Sequence, residues 1–332
     1  MLNTFTSKEQ ENAMIMLNRA LSALILLSVV LLQSPALAGD VMKIGVLPAA
    51  DSLILHAARE DGVFSSHGLD VDIVPFQSAL ELGAAMRAGA LDGHFGDIIN
   101  VLLQNESGAP QMIVATTSHS AANARFFGLA VSPKSSARTL EDLKGKTCSI
   151  GRATIVDFVL DALLERQQAA DLLEKKDIRQ IPVRLQMLLA GQTDSALLPE
   201  PLLSLVEGQG AHVLLDDRQL DLPLAVIALR KPEQGIDDAF TDRIVRFRAA
   251  LAEEARRIND NPEVYKTMMQ NLGLLSEHAA PQYTMLRFEE PLTPLGLPSE
   301  EDIRHYASWM QKNRLLRKGV PALSDIVFQV TE

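Results

Sequence analysis

Short apolar segments alternate with longer segments of helical character along the chain from residue 43 onward. The segments at residues 43–47, 71–74 and 91–95 have the length and composition of buried strands. Helices are predicted between them at residues 53–61 and 79–88, where glycines end the helical pattern. Strands that alternate with helices of this length are typical of parallel βαβ units, so the sequence predicts an α/β fold.

Two segments of the chain repeat the same order of elements. Residues 86–92 end a helix at Gly89 and lead into a strand, and residues 188–194 do the same at Gly191. Both glycines fit the position after a helix that favours a left-handed backbone. Each of the two strands that follow ends next to an acidic residue. The repetition predicts two similarly built lobes.

The second lobe is predicted to be inserted into the first. It opens after the strand predicted at residues 127–131 and closes near the apolar segment 222–229, which reads as a returning strand. We therefore assign residues 39–131 and 229–332 to lobe 1 and residues 132–228 to lobe 2. Two chain crossings between lobes would form a hinge.

The N-terminal segment has the pattern of an export signal. Residues 20–32 are thirteen apolar or small residues without a charge, whereas a membrane span needs about 20. A small-x-small tripeptide at residues 36–38 precedes the predicted fold, so we expect cleavage after Ala38 and export of the remaining chain. Because the cleavage site has no cysteine, we do not expect a lipid anchor there.

Composition narrows the classes of function. The 332 residues include 31 Lys and Arg against 42 Asp and Glu, and the net charge of −11 disfavours nucleic acid as a partner. The one cysteine, Cys148, excludes an intrachain disulfide and a thiolate metal cluster, and we interpret it as a small buried apolar residue. The histidines form no HxH or HExxH motif, so we predict no metal site.

Polar residues follow the predicted strands in both lobes. Open α/β sheets bind ligands at the carboxyl ends of their strands, and a polar solute needs paired donors and acceptors there. The candidate solute-binding residues are Asp51, Ser52, Asp97, Asn100, His119, Arg152, Ala153, Thr154 and Glu200.

Each candidate has a structural alternative. Thr154 begins a predicted helix, whose free amides could bind an anionic group together with Arg152, or Thr154 could be only an N-cap while Arg152 faces water. Glu200 could accept from an amine of the solute or could be an acidic residue at a helix start. Ser52 and Asn100 fit ordinary helix-start residues equally well. The same two interpretations apply to Asp51, Asp97 and His119.

A set of short motifs resembles a known family. The motifs are Thr-Leu-Glu-Asp-Leu-Lys-Gly-Lys at residues 139–146, Gly-Arg-Ala-Thr at residues 151–154, the two Ala-Gly-x-x-Asp elements and Pro-Glu-Pro at residues 199–201. Together they resemble the solute-binding proteins of ABC importers for nitrate, sulfonates, taurine and thiamine-pyrimidine precursors. The resemblance implies a type II periplasmic-binding fold with two α/β lobes, each a mostly parallel sheet flanked by helices, and two hinge crossings.

The resemblance implies a periplasmic receptor that binds one small solute and delivers it to an ABC transporter permease in the inner membrane. We expect a monomer with no catalytic residue and no cofactor, and we favour an organic solute that has N–H donors and an acceptor end. Two alternatives remain, an exported enzyme and a ligand-sensing subunit on the same fold. No GxSxG, P-loop or GxGxxG motif is present. Yeast-type pyrimidine synthases of the superfamily have a cysteine-rich stretch, which this chain lacks.

Overall fold

The computed structural model describes residues 41–288 and 296–329 and contains two five-stranded sheets flanked by helices. The predicted signal peptide and its cleavage site lie outside the described residues. The first sheet has the order β2-β1-β3-β10-β4 and the second has the order β7-β6-β8-β5-β9. The strands are β1 (Met42–Val46), β2 (Val71–Pro75), β3 (Gly93–Gly96), β4 (Gln111–His119), β5 (Phe127–Val131), β6 (Thr147–Ile150), β7 (Glu174–Asp177), β8 (Ser195–Pro199), β9 (His212–Asp216) and β10 (Pro223–Arg230).

The helices of the described residues connect successive strands and cover the sheets. They are α1 (Leu53–Glu60), α2 (Val63–Ser66), α3 (Ala79–Arg87), α4 (Ile98–Glu106), α5 (Ile155–Arg166), α6 (Ile181–Leu189), α7 (Leu202–Gly208), α8 (Asp238–Asp260), α9 (Pro262–Asn271), α10 (Glu300–Lys312) and α11 (Leu323–Ile326). Within these ranges no helix has both the length and the apolar character needed to cross a bilayer.

The repeated helix ends have the backbone that the sequence predicts. Gly89 and Gly191 have φ angles of 75° and 71°, in the left-handed region that glycine enters without a steric cost. Each glycine follows a helix, α3 or α6, and precedes a strand of its own sheet. The two halves of the chain therefore share the same helix–glycine–strand connection.

Both sheets are mixed, and in each of them four strands run in one direction and one strand runs against them, which agrees with the prediction of mostly parallel sheets. In the first sheet β1 is parallel to β2 and β3, whereas β10 is antiparallel to β3 and β4. In the second sheet β6 is parallel to β7 and β8, whereas β5 is antiparallel to β8 and β9. The antiparallel strands are the two that follow a chain crossing between sheets. The α/β class itself is confirmed.

The two strands that follow the chain crossings, β5 and β10, pair in a different sheet from the one that the predicted lobe assignment implies. Sequence analysis placed residues 127–131 in lobe 1, but β5 pairs within the second sheet. It also placed residues up to 228 in lobe 2, but β10 pairs within the first sheet. The connections between the sheets are therefore residues 120–126 and 217–222. An apolar segment indicates a buried strand, but it does not indicate the sheet in which that strand pairs. The lobe boundaries therefore stay predictions.

Candidate functional site

The strand ends of the two sheets face each other and are in direct contact. Ala50, which follows β1, donates its backbone N–H to the carbonyl oxygen of Glu200, which follows β8, at 3.0 Å. Asp97 follows β3, and its Oδ2 accepts the N–H of Ile155, the first residue of α5, at 3.1 Å. Carboxyl-end loops of both sheets thus meet along one interface, as the sequence pattern predicts for a ligand cleft.

Asp97 joins the N-terminal ends of two helices across this interface. Its Oδ1 accepts the N–H of Asn100 at 2.7 Å and caps α4, while its Oδ2 accepts from α5. Burial raises the pKa of Asp97 to about 6, although the N–H groups that it accepts act in the opposite direction. This carboxyl therefore links the two sheets and titrates close to neutral pH.

Glu200 is held by a buried ion-pair network. Its Oε1 accepts from Nε and Nη2 of Arg125 at 3.0 and 2.6 Å, and its Oε2 accepts the N–H of Ser204 at 3.0 Å. Arg125 also donates to Oε2 of Glu207 at 2.6 Å. Because two carboxylates share one guanidinium, this group of three carries a net negative charge.

Hydroxyl groups lie near the first strand end. Thr117 Oγ1 donates to Oδ2 of Asp51 at 2.9 Å. Burial raises the pKa of Asp51, and the hydrogen bond from the Thr117 hydroxyl partly offsets that effect. The buried Oη of Tyr283 has no hydrogen-bond partner within residues 41–288 and 296–329. Burial, reinforced by the charges of Glu200 and Asp51, raises the pKa of this phenol above its ordinary value.

Two cavities lie along this interface. The larger has a volume of about 1090 Å³, and its polar lining includes Thr117, His119, Arg125, Glu200 and Tyr283. The smaller has a volume of about 60 Å³, and its polar lining includes Asp51, Asp97, Thr154 and Arg184. Ala50 and Glu200 line the larger cavity, and their neighbours Asp51 and Pro199 line the smaller one. The Ala50–Glu200 contact therefore lies between the two cavities.

Five of the predicted residues line the cavities. Asp51, Asp97 and Thr154 line the smaller cavity, and His119 and Glu200 line the larger one. Whether these residues contact a solute stays a prediction. The expected N-cap role of Thr154 is confirmed, because its side chain accepts the N–H of the second residue of α5 at 3.3 Å.

The other four predicted residues have local contacts and lie outside the cavity linings. Ser52 donates its hydroxyl to the carbonyl oxygen of Ala49 at 2.8 Å, and the Asn100 N–H binds its helix cap. Arg152 is exposed, and its backbone N–H donates to an aspartate at 3.0 Å. Ala153 has a φ of 59°, so it provides the turn before α5. An anion site at α5 that uses the Arg152 side chain has no support from this geometry.

Several cavity residues were not predicted from the sequence, among them Arg125, Tyr283 and Arg184. Arg125 lies in the connection between the sheets, and Tyr283 lies in a segment without a regular element, so neither carried a periodic signal. Arg184 did carry one, because its spacing from Ile181 and Leu188 places it on the buried face of α6. An arginine at a buried position of an apolar helix was a recognisable sign of a site.

In the described part of the chain, metal binding would need clustered His, Cys, Asp or Glu side chains, and thiol chemistry would need the thiol of Cys148. Residues 41–288 and 296–329 contain no cluster of three or more His, Cys, Asp or Glu side chains placed to hold a metal ion. Cys148 is buried as predicted, and burial raises the pKa of its thiol to about 11. The thiol is therefore uncharged at neutral pH and is a poor nucleophile.

Comparisons with known proteins agree with this architecture. A family model described as NMT1/THI5 like matches residues 49–217. The alkanesulfonate-binding protein SsuA from Xanthomonas axonopodis pv. citri, bound to MOPS, is 18% identical with a TM-score of 0.71, covering 87% of this chain and 98% of that one. The aliphatic sulphonate-binding protein SsuA from Escherichia coli is 16% identical with a TM-score of 0.69, covering 89% and 94%.

A third solved structure extends the similarity to another ligand class. The periplasmic nitrate-binding protein NrtA from Synechocystis PCC 6803 is 14% identical with a TM-score of 0.57, covering 78% of this chain and 71% of that one. No curated protein sequence matches the chain. At these identities the solved structures support the fold alone.

Proposed function

Since the chain belongs to the NMT1/THI5-like family, we propose that it is a receptor that captures a small organic solute between its two sheets and delivers it to the permease of an ABC importer. The observation that carries the proposal is the meeting of strand-end loops from both sheets around the two cavities. Proteins of similar fold that bind sulfonates and nitrate support it. Capture of a solute needs paired polar groups and closure of a hinge, and it needs no reacting group.

The proposal includes a periplasmic location, which rests on the sequence. The predicted signal peptide would export the chain, and removal of residues 1–38 would leave a periplasmic protein. An importer of this kind takes its solute from a carrier on the outer side of the inner membrane. The permease is therefore the proposed protein partner.

The larger cavity offers acceptors to a solute with N–H donors. Glu200 and Glu207 share Arg125, so the network has one negative charge in excess. Arg218 also lines the cavity, but its guanidinium is paired with Asp216 at 2.6 Å. Arg287 lines the cavity as well and is exposed, so the lining contains arginines as well as carboxylates. An amine or ring N–H would find acceptors there.

A binding screen tests the proposal. The purified protein would be mixed with amino acids, heterocyclic amines, carboxylates and sulfonates, and a solute that binds the folded state should raise the melting temperature. Calorimetry of each positive solute should then give one bound molecule per chain, with the solute recovered unchanged. Chemical conversion of the solute would support the enzyme alternative and overturn the receptor. A screen in which no solute changes the melting temperature would also count against the receptor.

A distance measurement tests the closure. Leu80 on α3 and Val183 on α6 are 51% and 39% exposed and belong to opposite sheets. The N-terminal ends of their helices touch through the Ile181 N–H and the Gln77 carbonyl oxygen at 3.1 Å. Spin labels on cysteines at Leu80 and Val183 should give a shorter and narrower distance distribution with solute than without it. An identical distribution in both states would contradict hinge closure.

A further inference from the structure

A buried arginine faces the smaller cavity with part of its guanidinium unpaired. Arg184 lies on the inner face of α6 and is only 1% exposed. Its Nη1 donates to the carbonyl oxygen of Ile178 at 3.1 Å. Its Nε and Nη2 are buried and find no acceptor among residues 41–288 and 296–329. A guanidinium in this state is unusual, because arginine has five N–H donors and is strongly solvated when exposed.

The charges around Arg184 do not complete its hydrogen bonding. Asp177 is the nearest carboxylate that acts on it, but its two oxygens accept from the Arg152 N–H at 3.0 Å and Arg179 Nε at 2.9 Å. Cys148 also lies close, and its thiol stays protonated at neutral pH because burial raises its pKa to about 11. Burial lowers the pKa of Arg184 to about 10, so the guanidinium still carries its charge.

The cavity wall beside Arg184 is the N-terminal end of α5. A Cβ atom added to Gly151 would lie 3.3 Å from Arg184 Nη1 and 3.5 Å from Thr154 Oγ1, so the glycine leaves space between the guanidinium and the helix start. The twelve-residue α5 begins beside this space, so the positive end of its dipole lies at the cavity. The first N–H groups of the helix already have acceptors, because Asp97 accepts from Ile155 and the Thr154 hydroxyl accepts from Val156.

We propose that Arg184 is the cation of an oxyanion subsite at the start of α5, which binds the carboxylate, sulfonate or phosphate end of the solute. The subsite rests on the proposed receptor function and adds a specificity-determining residue to it. A planar guanidinium matches the two oxygens of an oxyanion, and the dipole at the helix start favours a negative charge beside it. The cavity of about 60 Å³ suits a group of a few heavy atoms. The exposed Arg152 side chain has no part in it.

The test uses sulfate as the probe on the purified protein and on two matched variants. Arg184→Met removes the charge and keeps the length of the side chain, whereas Arg152→Met removes the neighbouring exposed charge. Sulfate stabilises proteins in general, so each melting temperature is compared with sodium chloride at equal ionic strength and with the other variants. We expect a saturable sulfate effect in the wild type and in Arg152→Met, and at least a tenfold loss of sulfate affinity in Arg184→Met.

The same variants separate binding from a structural role. A buried charge without a complete set of partners is costly, so Arg184→Met should melt above the wild type without sulfate, by about 3 °C or more. A lower melting temperature for Arg184→Met, or a sulfate effect equal to that of the wild type, would overturn the proposal. Gly151→Ala keeps the guanidinium and fills the space before it, so it should also weaken sulfate binding. Full sulfate affinity in Gly151→Ala would likewise overturn the subsite.

Competition separates the anionic end of a solute from a free oxyanion. If the solute found in the screen displaces sulfate and loses affinity in Arg184→Met, its anionic group occupies the subsite. If the solute binds wild type and Arg184→Met equally and leaves sulfate in place, the subsite proposal fails while the receptor proposal stands. If no solute binds but sulfate binding still depends on Arg184, the receptor proposal fails and the anion chemistry of the site stands alone.

Discussion

Replacing Glu200 with glutamine changes the charge of the cleft without changing its shape. In the wild type, one oxygen of the Glu200 carboxylate accepts two N–H groups of Arg125 and the other oxygen accepts the Ser204 N–H. A glutamine has one acceptor oxygen and one donor nitrogen, so it can accept from either Arg125 or the Ser204 N–H but not from both. The nitrogen must then face either the guanidinium or the Ser204 N–H, both of which are donors.

The energetic cost follows from the burial of these groups. Glu200 and Arg125 have side chains that are 7% and 21% exposed, and an unpaired buried donor costs about 1–3 kcal/mol. Glu207 continues to neutralise Arg125, and repulsion between Glu200 and Glu207 disappears, which offsets part of the loss. We expect the free energy of unfolding to fall by about 1–2 kcal/mol, with a melting temperature lower by roughly 2–8 °C.

Urea denaturation measures this cost, and calorimetry with the solute from the screen measures affinity. Glu207→Gln is the matched control, because Glu207 pairs with the same guanidinium but is 32% exposed and gives no oxygen to a backbone N–H of α7 in the described contacts. Its stability should change by less than about 0.5 kcal/mol. If Glu200 accepts from the solute, Glu200→Gln should weaken binding about tenfold. Equal denaturation midpoints for wild type and Glu200→Gln would refute the reasoning.

Three further residues give predictions. Because Asp97 titrates at 3.8 when unfolded and at about 6 when folded, its contribution to stability is lost as pH rises from about 4 through about 6, by at most about 3 kcal/mol. Asp97→Asn has no carboxyl at this position, so its stability should not show this loss. The unfolding free energy of the variant minus that of the wild type should therefore increase over that pH range and level off near pH 7. A difference that is independent of pH would contradict the argument. Arg152→Ala should leave solute affinity within a factor of about two, because the side chain is exposed, and a tenfold loss in calorimetry would return it to the site. The buried thiol of Cys148 should react with a thiol reagent only at the rate of unfolding, and rapid reaction in native buffer would show that it is accessible.

The pattern of apolar residues in the sequence located the strands that are buried and apolar. The strand predicted at residues 71–74 is β2 with one residue added, and the strand predicted at residues 43–47 is β1 shifted by one residue. Both strands are apolar enough to show in the sequence. In contrast, β7 has the sequence Glu-Lys-Lys-Asp and lies at the edge of its sheet. An edge strand with one solvated face needs no apolar side chains, so periodicity could not reveal it.

The location of the cleft was predictable, but its hydrogen bonding was not. The rule that ligands bind at strand ends pointed to Asp51, Asp97 and Glu200, and all three line a cavity between the sheets. Their partners come from distant parts of the chain, as when Arg125 reaches Glu200. Sequence order gives no distance between such residues. Local spacing also pointed to Arg152, which lies next to the helix start, is exposed and is not among the residues that line the two cavities.

The contacts of α10 determine the side on which the cleft can open. On this helix Tyr306 Oη donates to the Pro223 carbonyl oxygen of β10 at 2.6 Å, and Trp309 Nε1 donates to Asp161 of α5 at 3.0 Å. The ring of Phe158, also on α5, lies 4.3 Å from that of Tyr306. Since this buried aromatic packing costs more to break than a single exposed hydrogen bond, a hinge movement should pivot close to α10. The sheets would then separate at the N-terminal ends of α3 and α6, which are joined by the hydrogen bonds of the Ile181 N–H with the Gln77 carbonyl oxygen and of Gln180 with Glu81.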